Sequence, residues 1–489
     1  MVQTHRILPD VKYKPFDVYH FVYTKVQGSF FFESAPEIGA PTEISVIGLG
    51  PFEILRDRGG VVERVRGGQP DEQLDGQSDD DSTDQVEILD EPFLSELGKR
   101  VSEIQVAAPA AAGFCGGGAF GIVGYDTVSE IETRLKKTKY FHTSVGDIRA
   151  EVAIARKLII FEHKKKLIHL IDLDGGEGLS QMENYVRSAP MRRSTVDSDL
   201  TELDHKRLDG SLGEGGYRKG FEQIMSHIKS GDIFQAVLAE QFNCELQADP
   251  IEVFEVLRLT SPTPYCFYFK LADKVYFGAS PESLVKVEGQ RLRSHPIAGT
   301  RPRGKNRKED LAQARSLLRS QKEASEHMML VDLARNDLGR VAAAGSVHVQ
   351  AFRKLKRFSN VMHLVSDIGA RLESGMKAID ALRATFPAGT LSGAPKVRAM
   401  EILADLEKAP RGFYGGAVVA FDSHGGLDSC IAIRSAGVTG RTATLSAGAG
   451  IVNDSKFEKE YQEVHHKLRA LRIAIGTAES NRKHKRESS

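Results

Sequence analysis

The sequence predicts an α+β fold, in which antiparallel strands and separate amphipathic helices share one chain. Short stretches alternate between apolar and polar residues, as half-buried strands do, and tight turns join them. These predicted strands and hairpins cover residues 157–173, 264–280, 415–422 and 429–438. Strands joined by hairpins, with helices kept separate, are typical of antiparallel sheets and not of a doubly wound parallel sheet.

Six stretches have the apolar spacing of amphipathic helices. They cover residues 217–230, 249–260, 309–334, 376–385, 395–407 and 456–475. The last of them has the clearest start, because Ser455 and Glu458 have the spacing of a capping box. Its apolar stripe consists of Phe457, Tyr461, Val464, Leu468, Leu471 and Ile475. We therefore expect one face of this helix to be buried.

Composition divides the chain into three parts. A change near residues 190–215 separates an N-terminal segment, residues 1–200, from a C-terminal body, residues 210–476. The basic stretch at residues 477–489 is predicted to be a disordered tail. Residues 67–98 are rich in Asp and Glu and contain no Lys or Arg. We expect this acidic insertion to be a solvated loop or a disordered segment.

The composition is typical of a soluble cytoplasmic protein. The 489 residues include 66 basic and 66 acidic side chains, so no net charge attracts nucleic acid or an anionic membrane. Four cysteines lie far apart without a CxxC pair, which suits a reducing compartment and excludes a disulfide scaffold. An apolar signal segment and a run of about 20 apolar residues are both absent, so we expect no membrane span.

Two predicted helices each carry a pair of glutamates three residues apart. Glu323 and Glu326 precede an apolar run on one helix, and Glu460 and Glu463 flank the apolar stripe of the other. Like charges at this spacing repel, and four carboxylates gathered at the edge of a core require a cation. Oxygen ligands without His or Cys suit Mg²⁺. Ordinary solvated glutamates on two helix faces are the alternative.

Three segments have features of a site for a small polyanion. Residues 386–403 combine turn residues, a helix start and Lys396, so backbone amides and an ammonium group favour an anion. Residues 446–454 place two glycines beside Ala449, where backbone amides can approach an anion. Arg434 stands among small residues and has room to bind a carboxylate through two nitrogens. An ordinary loop and a structural ion pair are the alternatives.

Nine short motifs follow one another in the order found in chorismate-utilising enzymes. They are "GDIFQAV", "GASPES", "PIAGTRPRG", "EHMMLVDLARNDLGRV", "VMHLVS", "GTLSGAPKVRAMEIL", "YGGAVVAFD", "IRSAG" and "AGAGIV". The chain resembles this family, and within it the large subunits of anthranilate synthase. The resemblance is strong over residues 215–475 and weaker in the N-terminal half. It implies a large antiparallel-sheet fold with helices packed around the sheets.

The resemblance also implies a reaction, a cofactor and a partner. Ammonia attacks C2 of chorismate, the 4-hydroxyl leaves, and elimination of pyruvate gives anthranilate for tryptophan biosynthesis. Mg²⁺ binds a substrate carboxylate, with Glu326 and Glu463 as direct ligands and Glu323 and Glu460 in support. Ammonia is expected from a separate glutamine amidotransferase subunit, so a hetero-oligomer is implied.

The matched motifs imply roles for further residues. Glu282 is expected to act as acid and base near the departing hydroxyl. His363 is expected to assist pyruvate elimination, and Thr390 to orient the ring. The implied chorismate-binding residues are Gly299, Thr300, Tyr414, Arg434, Gly448, Ala449 and Gly450.

Two positions distinguish the chain from sibling enzymes of the family. Aminodeoxychorismate synthases have a nucleophilic Lys where this chain has Ala298. Isochorismate and salicylate synthases use a Lys to activate water where it has Gln235. Neither residue replaces that lysine chemistry, so ammonia is favoured as the nucleophile. The alternatives are those sibling branches, a catalytically silent homologue that binds an effector, and a nucleic-acid-binding protein.

A feedback site for L-tryptophan is the last implication of the resemblance. The family's two effector segments are matched in part by "FFES" and "PYC". The matching residues are Glu33, Ser34, Pro264, Tyr265 and Cys266. Phe in place of Leu and Cys266 in place of Met change the pocket wall, and an Arg usual in the family is absent. We expect tryptophan inhibition, and a plain N-terminal hairpin is the alternative.

Overall fold

The computed structural model describes residues 4–487, apart from residues 11, 27, 36–40, 51, 67–84, 105–116, 139–146, 193–195, 197–199, 272–273, 358–360 and 408. The helices are α1 Pro15–Tyr23, α2 Phe93–Ile104, α3 Leu179–Ser188, α4 Gly213–Lys229, α5 Pro250–Thr260, α6 Arg307–Arg319, α7 Gln321–Gly339, α8 Ala378–Thr385, α9 Lys396–Glu407 and α10 Phe457–Glu487. Within the described part of the chain, no helix is long and apolar enough to cross a membrane.

The strands form two antiparallel sheets, which confirms the predicted fold class. The first sheet runs in the order β1 (His5–Pro9), β10 (Leu167–Asp172), β9 (Lys157–Glu162), β3 (Ile44–Leu49), β2 (Ser29–Ser34), β13 (Tyr265–Leu271), β14 (Lys274–Ser280), β23 (Ser435–Thr439), β24 (Thr442–Ile451), β12 (Gln235–Glu245) and β11 (Asp209–Gly210), with β20 (Gly393–Ala394) beside β12.

The second sheet is equally large. Its order is β17 (Ile297–Pro302), β19 (Val361–Arg371), β16 (Arg291–Ser294), β15 (Ser283–Glu288), β22 (Leu427–Ile431), β21 (Ala417–Asp422), β7 (Gly118–Val123), β8 (Ile148–Ala155), β4 (Glu53–Arg58), β5 (Val61–Arg66) and β6 (Gln85–Leu89), with β18 (His348–Arg357) beside β19.

The two sheets pack face to face, and helices cover their outer faces. Phe30 and Phe32 on β2 point inward, and the Phe30 ring lies 4.6 Å from that of Phe120 on the second sheet. Phe31 points the other way, into a core with Phe16 of α1 and Phe254 of α5. Successive side chains of a strand point to opposite faces, so a strand buried on both faces is apolar throughout.

The division predicted near residue 200 does not separate two structural units. Strand β2 pairs with β13 in the first sheet, and β7 pairs with β21 in the second. Strands from both sides of the predicted boundary therefore lie side by side in each sheet. The change in composition marks only a connection, and of its described residues between 190 and 208 all but Leu203 are exposed or partly exposed.

Two predicted elements are interrupted by breaks that periodicity alone does not reveal. The helix predicted at 309–334 is two helices, because the Ser320 side chain caps α7 by accepting a hydrogen bond from the Glu323 amide. The strand predicted at 429–438 ends at Ile431 and resumes at Ser435, where the chain passes from the second sheet to the first.

Two segments predicted to lack structure are partly ordered. Residues 85–98 of the acidic insertion form β6 and the start of α2, whereas residues 67–84 lie outside the described residues. Helix α10 continues to Glu487 through most of the predicted basic tail. Ala478 is buried and Glu479 accepts a 2.6 Å hydrogen bond from Arg207, so contacts with the body stabilise a segment that its charges alone predict to be frayed.

Gly48 of β3 provides a test of the close packing between strands. Its backbone pairs with Phe30, and an added Cβ would lie 2.0 Å from the Phe30 ring. Gly48→Ala is expected to lower the free energy of unfolding by about 1–3 kcal/mol through overpacking. The matched control is Gly437→Ala on β23, where an added Cβ meets the Tyr276 ring only at 3.6 Å. Equal thermal midpoints for the two variants would contradict this packing.

Candidate active site

The chain crosses between the two sheets at two neighbouring places. It leaves β14 of the first sheet and enters β15 of the second through Pro281 and Glu282. It returns from β22 to β23 through residues 432–434. The crossings are bonded to each other, because the Ile431 amide donates to the Glu282 carbonyl at 3.0 Å and the Ala279 amide to the Arg434 carbonyl at 3.2 Å.

A cleft of about 1320 Å³, measured with its open mouth, lies beside these crossings. Its walls come from β12, β17, β19 and β24 and from helices α7 and α10. The predicted residues that line it are Glu282, Gly299, Thr300, Glu326, His363, Thr390, Tyr414, Arg434, Gly448, Gly450, Glu460 and Glu463. Residues as far apart in the sequence as Glu282 and Glu463 thus meet in one cavity.

Two predicted site residues do not line this cleft. Glu323 lies behind Gly299, and its carboxylate accepts a 3.1 Å hydrogen bond from Arg301. Ala449 is fully buried in the core under the first sheet, because residues 446–451 continue strand β24 and do not form the predicted loop. The strand alternation leaves Gly448 and Gly450 on the cleft side and turns Ala449 away.

Glu282 has the environment of a proton donor. The Thr390 hydroxyl donates a 3.1 Å hydrogen bond to its Oε1. Burial raises the pKa of the Glu282 carboxyl to about 7, against the opposing effects of Thr390, Lys467 and Arg434. Near neutral pH the carboxyl can therefore both give and take a proton.

His363 is held in one tautomer by the neighbouring strand. Its Nδ1 lies 3.0 Å from the carbonyl oxygen of Gly299 and 3.1 Å from Oγ1 of Thr300. A carbonyl only accepts, so Nδ1 carries the hydrogen and Nε2 of the neutral ring carries the lone pair. Burial lowers the pKa of His363, and the ring is consequently neutral at pH 7. The side chain is suited to accept a proton.

Arg434 stands at the second crossing with a φ of 50°, an uncommon left-handed conformation for a residue other than glycine. Its guanidinium borders the cleft and is bonded to none of the described side chains. Burial lowers its pKa, and the Glu282 carboxylate opposes this effect. A mostly buried guanidinium of this kind favours a ligand carboxylate.

Strand β24 and Tyr414 form the wall beside Arg434. An added Cβ on Gly448 would lie 2.6 Å from the Leu238 carbonyl oxygen, and one on Gly450 would lie 2.8 Å from the Gln235 side chain. Burial raises the pKa of the Tyr414 hydroxyl, which is bonded to the Gly448 backbone. Only glycine therefore fits at these two positions against β12, and both residues border the cleft.

One end of the cleft is lined by charged side chains, which are Glu326, Glu460, Glu463, Lys322 and Lys467. Burial raises the pKa of Glu326, and repulsion by Glu323 and Glu463 raises it further. Burial and Glu463 likewise raise the pKa of Glu460, while Ser455 lowers it. The carboxylates of the two helices are thus close enough to influence one another.

Lys467 partly neutralises this end of the cleft. Its ammonium group lies 2.8 Å from Oε1 of Glu463 and donates a 2.8 Å hydrogen bond to the Gly448 carbonyl. No three described carboxylates come close enough to form a preassembled metal site. Mg²⁺ needs only one or two protein carboxylates, with substrate and water completing its shell. Glu326 and Glu463, on α7 and α10, fit this requirement.

Some site residues were not predicted from the sequence. Lys322 and Lys467 border the cleft. In the sequence only their positions indicate this, because Lys322 precedes Glu323 and Lys467 follows Glu463 by one helical turn. The anion-binding role predicted for Lys396 is wrong, because its ammonium group is bound at 2.7 Å to the buried Asp337 carboxylate. That ion pair connects α9 to the end of α7.

The predicted effector residues lie together on neighbouring strands. Tyr265 pairs with Ser34 and Cys266 with Glu33, and none of these side chains is more than 5 % exposed. Pro264 is buried beside them. Two unpredicted residues hold this cluster: Asp428 accepts hydrogen bonds from Ser34 and Tyr265, and Arg258 donates two to Glu33.

Comparison with known proteins confirms the resemblance seen in the motifs. A family model described as chorismate binding enzyme matches residues 53–472. Anthranilate synthase component 1 of Bacillus subtilis (strain 168) is 40 % identical over 383 residues, 74 % of this chain and 74 % of the relative. The protein of the same name from Methanothermobacter marburgensis is 37 % identical over 462 residues, 94 % of this chain and 92 % of the relative.

Solved structures agree with these relatives. Anthranilate synthase component I from Streptococcus pneumoniae TIGR4 matches with a TM-score of 0.74 at 30 % identity, over 92 % of this chain and 96 % of that chain. The isochorismate synthase MenF from Escherichia coli matches with a TM-score of 0.69 at 17 % identity, over 97 % of this chain and 95 % of that chain, and shows the fold alone. The chain belongs to the chorismate binding enzyme family.

Proposed function

We propose that the chain is the large subunit of an anthranilate synthase, a lyase of tryptophan biosynthesis that converts chorismate and ammonia to anthranilate and pyruvate. The observation that carries this proposal is the single cleft in which Glu282, His363 and Arg434 meet the glutamates of α7 and α10. The relatives named anthranilate synthase component 1, which match over most of both chains, support it.

The cleft offers a distinct residue for each step of this reaction. Arg434 and the backbone at Gly448 and Gly450 bind a carboxylate of chorismate. Ammonia adds at C2 while protonated Glu282 donates to the 4-hydroxyl, which leaves as water. His363 Nε2 then takes the C2 proton, the ring becomes aromatic, and pyruvate leaves after its methylene carbon gains a proton.

The choice of ammonia follows from two residues on the cleft wall. Ala298 and Gln235 line the cleft. By the family resemblance, they stand where sibling enzymes carry a lysine that forms a covalent adduct and a lysine that activates water. Gln235 is 4 % exposed, and its Oε1 has no hydrogen-bond partner among the described residues. An unsatisfied buried acceptor favours an N–H donor such as the incoming ammonia.

The proposed cofactor is Mg²⁺, held by Glu326 and Glu463 with Glu460 nearby. When bound, the ion would neutralise a substrate carboxylate. Glu323 contributes only charge from behind Gly299, because Arg301 already binds its carboxylate. Lys467 is bonded to Glu463 and balances the acids when no ion is present.

A glutamine amidotransferase subunit is the proposed ammonia source, and L-tryptophan the proposed inhibitor. The component 1 names of the relatives support a second component. The pairing of Glu33 and Ser34 with Cys266 and Tyr265 supports a common effector site. Asp428, which binds Ser34 and Tyr265, lies on β22, the strand that leads to the second crossing.

The function is tested with purified protein, chorismate, ammonium and Mg²⁺. Fluorescent anthranilate is expected, and a chelator should abolish it; isochorismate, the product of a sibling branch, is not aromatic. Glu326→Gln and Glu463→Gln should each lower turnover at least about 100-fold without a change in melting temperature. Glu458→Gln, an exposed position on α10, is the control. Near-normal rates in both cleft variants would contradict the metal assignment.

The pH dependence of turnover tests the role of Glu282. The protonated carboxyl predominates below its pKa of about 7, so kcat should fall as the pH rises above that value. Glu282→Gln should lower kcat by about 10²–10⁴-fold. Thr390→Val removes a hydrogen bond that lowers this pKa, so the alkaline limb should move to higher pH. An unmoved limb in Thr390→Val would contradict the assignment.

Feedback is tested by measuring turnover against tryptophan concentration. Ser34 is 1 % exposed and donates to Asp428, so a phenylalanine would remove this hydrogen bond and overpack the buried cluster. Ser34→Phe should turn over chorismate without inhibition, whereas the wild-type protein should be inhibited. Ser34→Ala serves as a smaller control. Identical inhibition curves for Ser34→Phe and the wild type would contradict the proposed effector site.

A further inference from the structure

A second cavity lies behind the Glu282 side of the cleft. This rear cavity, of about 440 Å³ when measured with its open mouth, is bordered among others by Glu282, Ser294, His295, Ala334, Asp337 and Thr390. Its walls come from β16, α7 and the turn that carries Thr390. None of the roles given above to the cleft uses Ser294, His295 or Ala334.

The wall between the cleft and the rear cavity contains the proposed acid. Glu282, Leu330 and Thr390 border both cavities. The two polar members of this wall are bonded to each other, with Oγ1 of Thr390 3.1 Å from Oε1 of Glu282. A proton that reaches this hydrogen bond from the rear therefore reaches the group that faces the substrate.

The rear cavity has its own opening. Ser294, His295 and Ala334 border it and are partly exposed, and none of them borders the cleft, so this rim faces solvent on its own side. Asp337 is buried on the rear side with Lys396 at 2.7 Å, and His295 lies 3.5 Å from Asp367. These polar groups favour water inside the cavity.

The titratable groups around Glu282 differ on its two sides. Lys467 and Arg434 face it from the cleft and favour its ionised form. Asp337, Lys396 and His295 stand on the rear side, where the charges of Asp337 and Lys396 cancel in an ion pair. The rear side thus places little net charge near the Glu282 carboxyl, and water in the rear cavity can carry a proton to it.

The chemistry leaves Glu282 ionised once in each turnover. Glu282 gives its proton to the 4-hydroxyl, which departs as water, and the nitrogen on C2 releases a proton that can leave to solvent through the cleft. The carboxylate must regain a proton before the next turnover, and the ring still stands on its cleft side. We infer that the rear cavity is the route by which solvent returns that proton: a hydronium ion or buffer acid protonates Glu282 and leaves as water or conjugate base. This inference rests on the proposed function.

Filling the rim of the rear cavity tests the inference. Ala334 stands on α7, where leucine is also a good helix former, so Ala334→Leu should fill the opening without breaking the helix. We expect kcat to fall about tenfold, with an unchanged KM for chorismate, because only the return of the proton is slowed. The solvent deuterium isotope effect on kcat should increase, which a merely structural change would not produce.

Matched controls separate cavity filling from general damage. Ala334→Ser keeps the opening, and Asn336→Leu adds the same side chain at an exposed position of α7 that borders neither cavity. Both should retain wild-type kcat and isotope effect. Ser294→Leu fills the rim from β16 and repeats the test should Ala334→Leu fail to fold.

The outcomes distinguish this inference from the proposed function. Absence of anthranilate from the wild-type protein would overturn both. The proton route alone would be overturned if the wild type is active and both Ala334→Leu and Ser294→Leu fold with unchanged kcat and isotope effect. A raised KM with an unchanged isotope effect would also overturn it, because the cavity would then act on substrate binding.

Discussion

The two bonded crossings between the sheets are the constraint on which the cleft depends. A sheet residue normally faces either its own sheet's helices or the opposite sheet, whereas a residue at a crossing belongs to neither face. Glu282 and Arg434 occupy these positions, and the Ile431 and Ala279 amides bind their backbones. Because the backbone is hydrogen-bonded at both crossings, the two residues that carry the acid and the guanidinium have fixed backbone positions relative to each other.

Burial then sets the chemistry of the groups that the crossings and helices bring together. Removing a carboxyl from water disfavours its ionised form, which moves Glu282 into the range where proton transfer works at neutral pH. The same effect acts on Glu326 and Glu460, with mutual repulsion added. One physical cause therefore produces both a carboxyl that can exchange a proton near neutral pH and an acidic end that a cation would stabilise.

The sequence predicts much of this structure because periodicity and motif order report local features. The amphipathic stripe of α10 and the apolar alternation of the strands follow directly from side-chain spacing. The motif order places twelve of the named residues on the cleft wall. Periodicity does not show where a chain leaves one sheet for another, and so it misses the break before Arg434 and the turned-away side chain of Ala449. Glu323 is misplaced for a related reason, since its partner Arg301 lies on another element.

The central claim is that the crossings, β24 and the acidic helices form one substrate site. A crystal structure of the protein with Mg²⁺ and a stable ring dicarboxylate that mimics chorismate tests it most directly. The account predicts one carboxylate on Arg434, the ion on Glu326 and Glu463, and the Glu282 carboxyl beside the hydroxyl on ring carbon C4. A ligand bound elsewhere, or those glutamates turned away from the ion, would contradict it.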